Sequence, residues 1–304
     1  MESNSPDLGY EYSAKISRRP IKWPNGERVA VIITLNMEYW NPVLIDGNIP
    51  YPAGPNIIPL PIPRGMPDFV NYTWREYGQR VGVWRVINTL DKYGLRASAT
   101  LSSELGKKCP EIISETKKRG WEFIAHSDIE SNIPINFADD IEAERSMIRR
   151  TVKGLEETTG TRPLGWLSPS ISPTVNTPGI LVDEGFKFFC DFINDDQPYA
   201  IKSRGRTLIS IPYSSEMNDY LLFMRQSLGA DGVFDAVKEY FDVLYEEGGK
   251  SGMIMNLGLH PHVIGQPHRI RTLDRILEYI VSKAPNVWFP RRIEIANWYE
   301  KTYL

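Results

Sequence analysis

A chain of 304 residues accommodates one large α/β barrel or two ordinary domains, and 41% hydrophobic with 24% charged residues is the profile of a packed globular protein. A net charge of −3, with no long basic run, argues against nucleic acid or an anionic membrane as the partner. Two cysteines, Cys109 and Cys190, lie outside any C-x-x-C spacing and form no disulfide framework. No stretch reaches the length of a membrane span, and the N-terminal residues hold no apolar segment of signal-peptide length. The expectation is a cytoplasmic enzyme acting on a small molecule.

Residues 1–27 are polar and irregular and read as an arm that wraps its own domain or a neighbouring subunit. The β-branched run Arg28–Leu35 predicts a strand buried on both faces, as in a parallel barrel. Residues 41–68 contain eight prolines and no helical period, which suits a lid or a subunit contact. Beyond them the chain alternates. Helix Gly82–Lys92 stops at Gly94, strand Ala97–Leu101 follows, and Pro110 opens a helix to about Lys118. Strand Trp121–Ala125 leads to His126, and an amphipathic helix covers about Ala138–Glu157. Then come strand Gly165–Leu167, helix Thr177–Glu184, strands Phe186–Cys190 and Leu208–Pro212, and helix Val233–Glu247. Strand Met253–Leu259, helix Ile270–Lys283, strand Val287–Phe289 and helix Ile293–Tyr299 complete the series. With no repeat and no break in composition, residues 28–304 read as a single distorted (β/α)7–8 barrel of the α/β class.

Polar residues fall repeatedly just past the strands. Asn36 and Glu38 follow the first, Ser102 and Ser103 the second, His126 the third and Ser168 the fourth. Asp191, Asp195 and Asp196 follow the fifth, Tyr213 and Glu216 the sixth, and His260 the seventh. In a parallel barrel these ends share one rim, where barrel active sites are built. Glu38, beyond an apolar strand, is expected to be buried with a raised pKa suited to a general base. The alternative for Glu38 is a salt bridge to Arg80 or Arg85. His262 and His268 flank a Pro/Gly-rich loop and read as structural, and Trp166, Trp288 and Trp298 as packing residues.

Eight segments carry a family resemblance: LNMEYW (35–40), YGQRVGVWRVINTLDKYG (77–94), GWEFIAHS (120–127), TGTRPLGWLSPS (159–170), VNT (175–177), DFINDDQPY (191–199), IPYSSEMND (211–219) and LGLHPHVIGQPHR (257–269). In these the chain resembles the polysaccharide deacetylase superfamily (carbohydrate esterase family 4 and relatives). It is most similar to the branch of metal-independent allantoinases and cyclic imide hydrolases. The resemblance implies a barrel of the polysaccharide-deacetylase type. Sugar deacetylases of the superfamily hold a divalent metal through an aspartate after the first strand and an H-x-x-x-H pair after the third. Here Asn36 and Glu38 stand at the acidic positions, His126 matches the first histidine, and Glu130 replaces the second. That pattern implies metal-independent hydrolysis of a C–N bond in a small cyclic amide, imide or ureide.

On this reading Glu38, His126 and His260 are catalytic. Glu38 orients or deprotonates water, the histidines donate a proton and contact the oxyanion, and either Glu38 or Glu130 is the base. Asn36 is expected to bond a substrate carbonyl or N–H, with Glu130, Ser168, Asp195, Asp196 and Tyr213 around the substrate. No cofactor is expected. A minority alternative places Zn²⁺ or Mn²⁺ on Glu38, His126 and Glu130 in a metal-dependent N-deacetylase of an acylated sugar. A second alternative is a non-catalytic barrel that binds a ligand. The arm and the Pro-rich segment suggest a homo-oligomer, a dimer or tetramer.

Overall fold

The structure, a computed structural model, describes residues 8–40, 57 and 66–304. Most of the segment expected to be a lid, residues 41–56 and 58–65, lies outside the described residues. Nine strands form one sheet: β1 Val29–Met37, β2 Ser98–Leu101, β3 Glu122–Ala125, β4 Gly165–Trp166, β5 Phe188–Phe189, β6 Tyr199–Ser203, β7 Arg206–Ser210, β8 Met253–Leu259 and β9 Val287–Trp288. Their order is β6-β7-β5-β4-β3-β2-β1-β8, with β9 pairing with the start of β1. Every pairing is parallel except β6–β7. The sheet curls until its ends approach. Ile254 N–H of β8 donates to the Asp196 carbonyl, and Asn218 bridges to Gly258. The result is a barrel left open between β6 and β8, the two ends of the sheet.

The antiparallel β6 is absent from the sequence reading. Only Ile201 of its five residues is buried, so it presents no apolar run. Arg204 and Gly205, both at positive φ (49° and 73°), make the two-residue turn that folds β6 back on β7. Two further helices are additions of the structure. Phe69–Tyr77 is capped by Asp68, whose carboxylate accepts from Asn71 N–H at 3.1 Å, and Ser103–Lys108 begins directly beyond β2.

Strand periodicity decides which side chains reach the interior. Val29, Val31, Ile33, Leu35 and Met37 pack outward with the helices, whereas Ala30 and Ile32 pack inward with Ile124, Leu167, Phe188, Ile209, Ile211 and Ile254. Counting on by two from Ile32 gives Thr34, Asn36 and Glu38, which therefore point into the barrel and toward its open C-terminal end. The arm runs back over its own chain. The Gly9 carbonyl accepts from Lys202 N–H at 2.7 Å, and Trp23 is buried against Trp288 and Trp298. Among the described residues no helix is long and apolar enough to cross a membrane.

One buried cation ties the interior together. Arg292, fully buried at the start of helix Arg292–Tyr303, donates to the Ile211 carbonyl and to Asn256 Oδ1, both at 2.7 Å. An apolar replacement takes this donor from the buried Ile211 carbonyl and leaves Asn256 Oδ1 with the Thr34 hydroxyl alone. Arg292→Met is expected to cost about 3 kcal/mol, a fall in Tm on the order of 5–10 °C in thermal unfolding. A shift under 2 °C would show that the guanidinium is dispensable to the core.

Candidate active site

Glu38 stands one residue past β1, and its carboxylate is held from two sides. Trp40 Nε1 donates to Oε2 at 3.2 Å, and His260 Nε2 lies 3.4 Å from Oε1. Neither arginine considered for it is a partner, since Arg80 sits beside Glu76 and Arg85 bonds Tyr77 and the Gly265 carbonyl. His126, one residue past β3, turns Nδ1 to the Leu167 carbonyl at 2.6 Å. Its Nε2 lies 3.5 Å from Glu130 Oε2 and 3.9 Å from Glu38 Oε1. Glu130 is placed by its backbone, because its N–H donates to the Tyr39 carbonyl at 2.9 Å, next to Glu38. Ser127, between the two acidic and basic groups, is held at a positive φ of 62°, a strained conformation for serine beside a functional residue.

His260 follows β8. Its Nδ1 meets Asp219 Oδ1 at 2.7 Å, and its backbone N–H donates to Asp219 Oδ2 at 2.8 Å, so one carboxylate fixes both ring and main chain. The segment after His260 can settle on the 78–82 turn only because two glycines lack side chains. A Cβ at Gly82 would lie 2.0 Å from the Pro261 carbonyl oxygen, and one at Gly78 2.6 Å from His262 N.

These groups bound one cavity of about 270 Å³. Glu38, His126, Glu130 and His260 meet there, together with Ser168 and Tyr213. That is the low end of the size of small-molecule pockets and suits a small ring rather than a polymer chain. Asn36 also reaches the wall, but as scaffold. Its amide nitrogen donates to Tyr213 Oη at 3.1 Å and to the Leu259 carbonyl at 3.2 Å, and its Oδ1 accepts from Thr100 at 2.9 Å. Both amide hydrogens are thus spent within the protein, which corrects the expected bond to a substrate carbonyl, while Oδ1 keeps a second lone pair that can accept from a substrate N–H.

Two more expectations are corrected. Asp195 forms an ion pair with Arg18 of the arm at 2.7 Å and accepts from Gln197 N–H, and it does not line the cavity. Asp196 contributes its backbone carbonyl to β8 and is likewise outside the cavity. Both sit six or seven residues past β5, where the chain has already turned toward β6 and the arm. Conversely, the sequence reading passed over Asp219, Trp40, Asn218, Arg75, Tyr220 and Arg225. Asp219 lies nine residues past β7, at the start of a helical turn, so no strand end points to it. Its only trace is the Asn-Asp pair closing IPYSSEMND.

Charge sharpens the arrangement. Burial would raise Glu38, but the neighbouring His260, with His262 and His126, holds it down at about 2. The expectation that Glu38 carries a raised pKa is therefore corrected. Glu130 is the raised carboxyl, pushed to about 7 by burial and then by the charge of Glu38. Against the cost of burial, Glu38 and Asp219 lift His260 to about 10, and Glu130 with Glu38 lifts His126 to about 9. A carboxyl near neutrality beside imidazoles that stay protonated is the separation of pKa values found in acid–base pairs.

No protein-family model matches the chain. It is 27% identical over 299 residues to a Schizosaccharomyces pombe protein assigned to the polysaccharide deacetylases, spanning 90% of this chain and 91% of that one. The solved structure of Puue allantoinase superposes with a TM-score of 0.87 at 28% identity, covering 100% of this chain and 99% of the other. The chain is similar over nearly its whole length to the polysaccharide deacetylase superfamily, in sequence and in fold. The likeness takes in the allantoinase-like branch and other members alike: a Pseudomonas aeruginosa PAO1 structure assigned to the polysaccharide deacetylases also superposes with a TM-score of 0.84 at 28% identity, over 92% of this chain and 94% of that one. In this polysaccharide deacetylase homologue the acidic and basic groups occupy the C-terminal rim of the barrel, as the strand-end polar residues lead one to expect.

Proposed function

We propose that the chain hydrolyses a C–N bond of a small cyclic amide, imide or ureide, with a water activated by a side-chain carboxylate and without a metal. The coarser class, a hydrolase of carbon–nitrogen bonds other than peptide bonds, follows from its superfamily and branch. The observation that carries the finer reading is that Glu38, Glu130, His126 and the Asp219-backed His260 meet on one cavity of about 270 Å³, with Glu130 raised by burial and His260 raised by its two carboxylates against the cost of burial. Glu130 Oε2 is buried with no hydrogen-bond partner among the described residues, and this is the atom to which a reacting water can give its proton. Glu38, held ionised, orients that water and keeps His260 charged. His260, backed by Asp219, donates to the leaving nitrogen or to the developing oxyanion. An imide or ureide nitrogen leaves with charge spread onto a second carbonyl, which lowers the demand on the catalyst.

A second reading has its own observation. One ligand atom each from Glu38, His126 and Glu130 lies within 4.8 Å of the others, and ligand atoms around a tetrahedral zinc are separated by about 3.4 Å. The three residues thus fit a divalent cation, with Nδ1–H of His126 spent on Leu167 and Nε2 left to bind. A cation held there would supply Lewis-acid activation of water. A panel of hydantoins, succinimide-type imides, ureides and N-acetylated sugars, run before and after dialysis against a strong chelator, separates the two. The expected result is ring opening whose rate changes less than twofold on chelation, in protein with a metal content well below one equivalent. Loss of activity that Zn²⁺ or Mn²⁺ restores would establish the second reading instead.

A further inference from the structure

The peptide group joining Leu167 to Ser168 is bonded at both ends by side chains. Its carbonyl accepts from His126 Nδ1 at 2.6 Å, and its N–H donates to Asp191 Oδ1 at 2.7 Å. Both side chains are buried, Asp191 at 4% exposure and His126 at 3%. Asp191 does not line the cavity, whereas Leu167 and Ser168 do. Any neutral acceptor would satisfy one amide N–H. A carboxylic acid group at that position is costly to bury, and its Oδ2 has no hydrogen-bond partner among the described residues. A polar group kept in so unfavourable a place, one peptide away from a catalytic imidazole, needs a reason beyond packing.

We propose that Asp191 is a positioning residue for His126, acting through this single peptide group. The peptide is a dipole, and hydrogen bonds in series polarise one another. An acceptor on the N–H end draws the amide hydrogen and makes the carbonyl a stronger acceptor. The stronger carbonyl holds Nδ1–H of His126 and fixes the ring plane. With the ring fixed, Nε2 is presented to Glu130 and Glu38, at 3.5 Å and 3.9 Å, rather than swinging away. Ser168 is anchored in addition by Trp166 Nε1, which donates to its hydroxyl at 2.8 Å, so the peptide itself cannot turn to escape. This arrangement works on His126 whether that ring is charged or neutral, because Nδ1 carries a proton in both cases. Its importance for turnover rests on the reading of His126 as part of the catalytic site.

The test uses Asp191→Ala and Asp191→Asn in the full chain, with proton and nitrogen NMR of the His126 ring and steady-state kinetics on a substrate found by the panel above. Four histidines make the ring signals assignable by single replacement. In the parent protein the Nδ1–H proton of His126 is expected far downfield and slow to exchange. In Asp191→Ala it moves upfield and exchanges faster, and kcat falls about 10–100-fold with KM changed less than threefold, the size of effect seen when the partner that orients a functional histidine is removed. Asp191→Asn keeps an acceptor without the charge and is expected to fall between the two, with a smaller but measurable upfield move of Nδ1–H and a smaller loss of kcat than Asp191→Ala. A folded Asp191→Ala protein with an unchanged Nδ1–H signal overturns the proposal. Should Asp191→Ala not fold, Asp191→Asn carries the test at pH 8.5, above the value of about 7 to which burial raises the Asp191 carboxyl: loss of the charge there shifts Nδ1–H measurably upfield, and an unmoved signal overturns the proposal. A shifted signal with unchanged kcat upholds the positioning role and removes His126 from the catalytic reading, so the two can fail separately.

Discussion

His260→Ala is expected to lower kcat by about 10³-fold while leaving the protein folded. His260 is held from both sides of its ring: Asp219 grips its Nδ1 at 2.7 Å, and Glu38 faces its Nε2 at 3.4 Å. Removing it takes away the proposed proton donor and also the largest influence holding Glu38 ionised. The loss should therefore exceed that of Asp219→Asn, which keeps the imidazole but weakens its hold. Asp219→Asn is expected to cost about 10–100-fold and to move the alkaline limb of the rate profile to lower pH, because a carboxylate that lifts the pKa of His260 is gone. Steady-state kinetics on a ring-opening substrate, with far-UV circular dichroism as the folding control, read both. Turnover of His260→Ala within tenfold of the parent would remove this residue from the chemistry.

Glu130→Gln separates activity from stability. As the proposed base, Glu130 must be ionised to work, so kcat/KM in the parent rises as pH climbs through about 7 and falls again as His260 gives up its proton near 10. The amide cannot accept the proton, and kcat should drop by about 10²–10⁴-fold with the acid limb abolished. Stability moves the other way. The folded-state pKa of Glu130 lies above its ordinary value of 4.5, so the folded state binds this proton more tightly than the unfolded chain does. Stability from that source is complete below about 4.5 and is lost as pH rises through about 7. At pH 8 the parent therefore carries a poorly solvated, ionised carboxylate that Glu130→Gln lacks. The variant should unfold at the same temperature or higher at pH 8, and its Tm should depend less on pH between 4.5 and 7. A variant that is both less stable at pH 8 and normally active would contradict both parts of the assignment.

The contrast between Glu38 and Glu130 shows why side-chain roles are harder to read from sequence than strands. Both are glutamates just beyond barrel strands, and burial alone would raise both. What separates them is the count of neighbouring cations. Glu38 has two protonated imidazoles within 4 Å and sits low, whereas Glu130 has one and also feels the Glu38 charge, so it sits high. Coulomb interactions at these separations are set by ångström-scale placement in a poorly screened interior. Asp195 and Asp219 make the same point from the opposite direction. The first follows a strand and pairs with the arm, and the second opens a helical turn far from any strand end and fixes the His260 imidazole.

By itself the sequence determined the parallel barrel, the order of most of its strands and the rim on which Glu38, His126, Glu130 and His260 lie. Those features follow from local patterns: apolar runs of strand length, helical periodicity between them, and the period-two alternation that turns Ala30, Ile32, Thr34, Asn36 and Glu38 to one side. The tertiary structure alone decided that Asn36 is bound by Tyr213 and Thr100, that Asp219 backs His260, and that Asp191 reaches His126 through a peptide group. Each of these is a contact between residues 20 to 180 positions apart, and its distance and direction depend on how strands curl and where loops land, which no local pattern in the chain encodes.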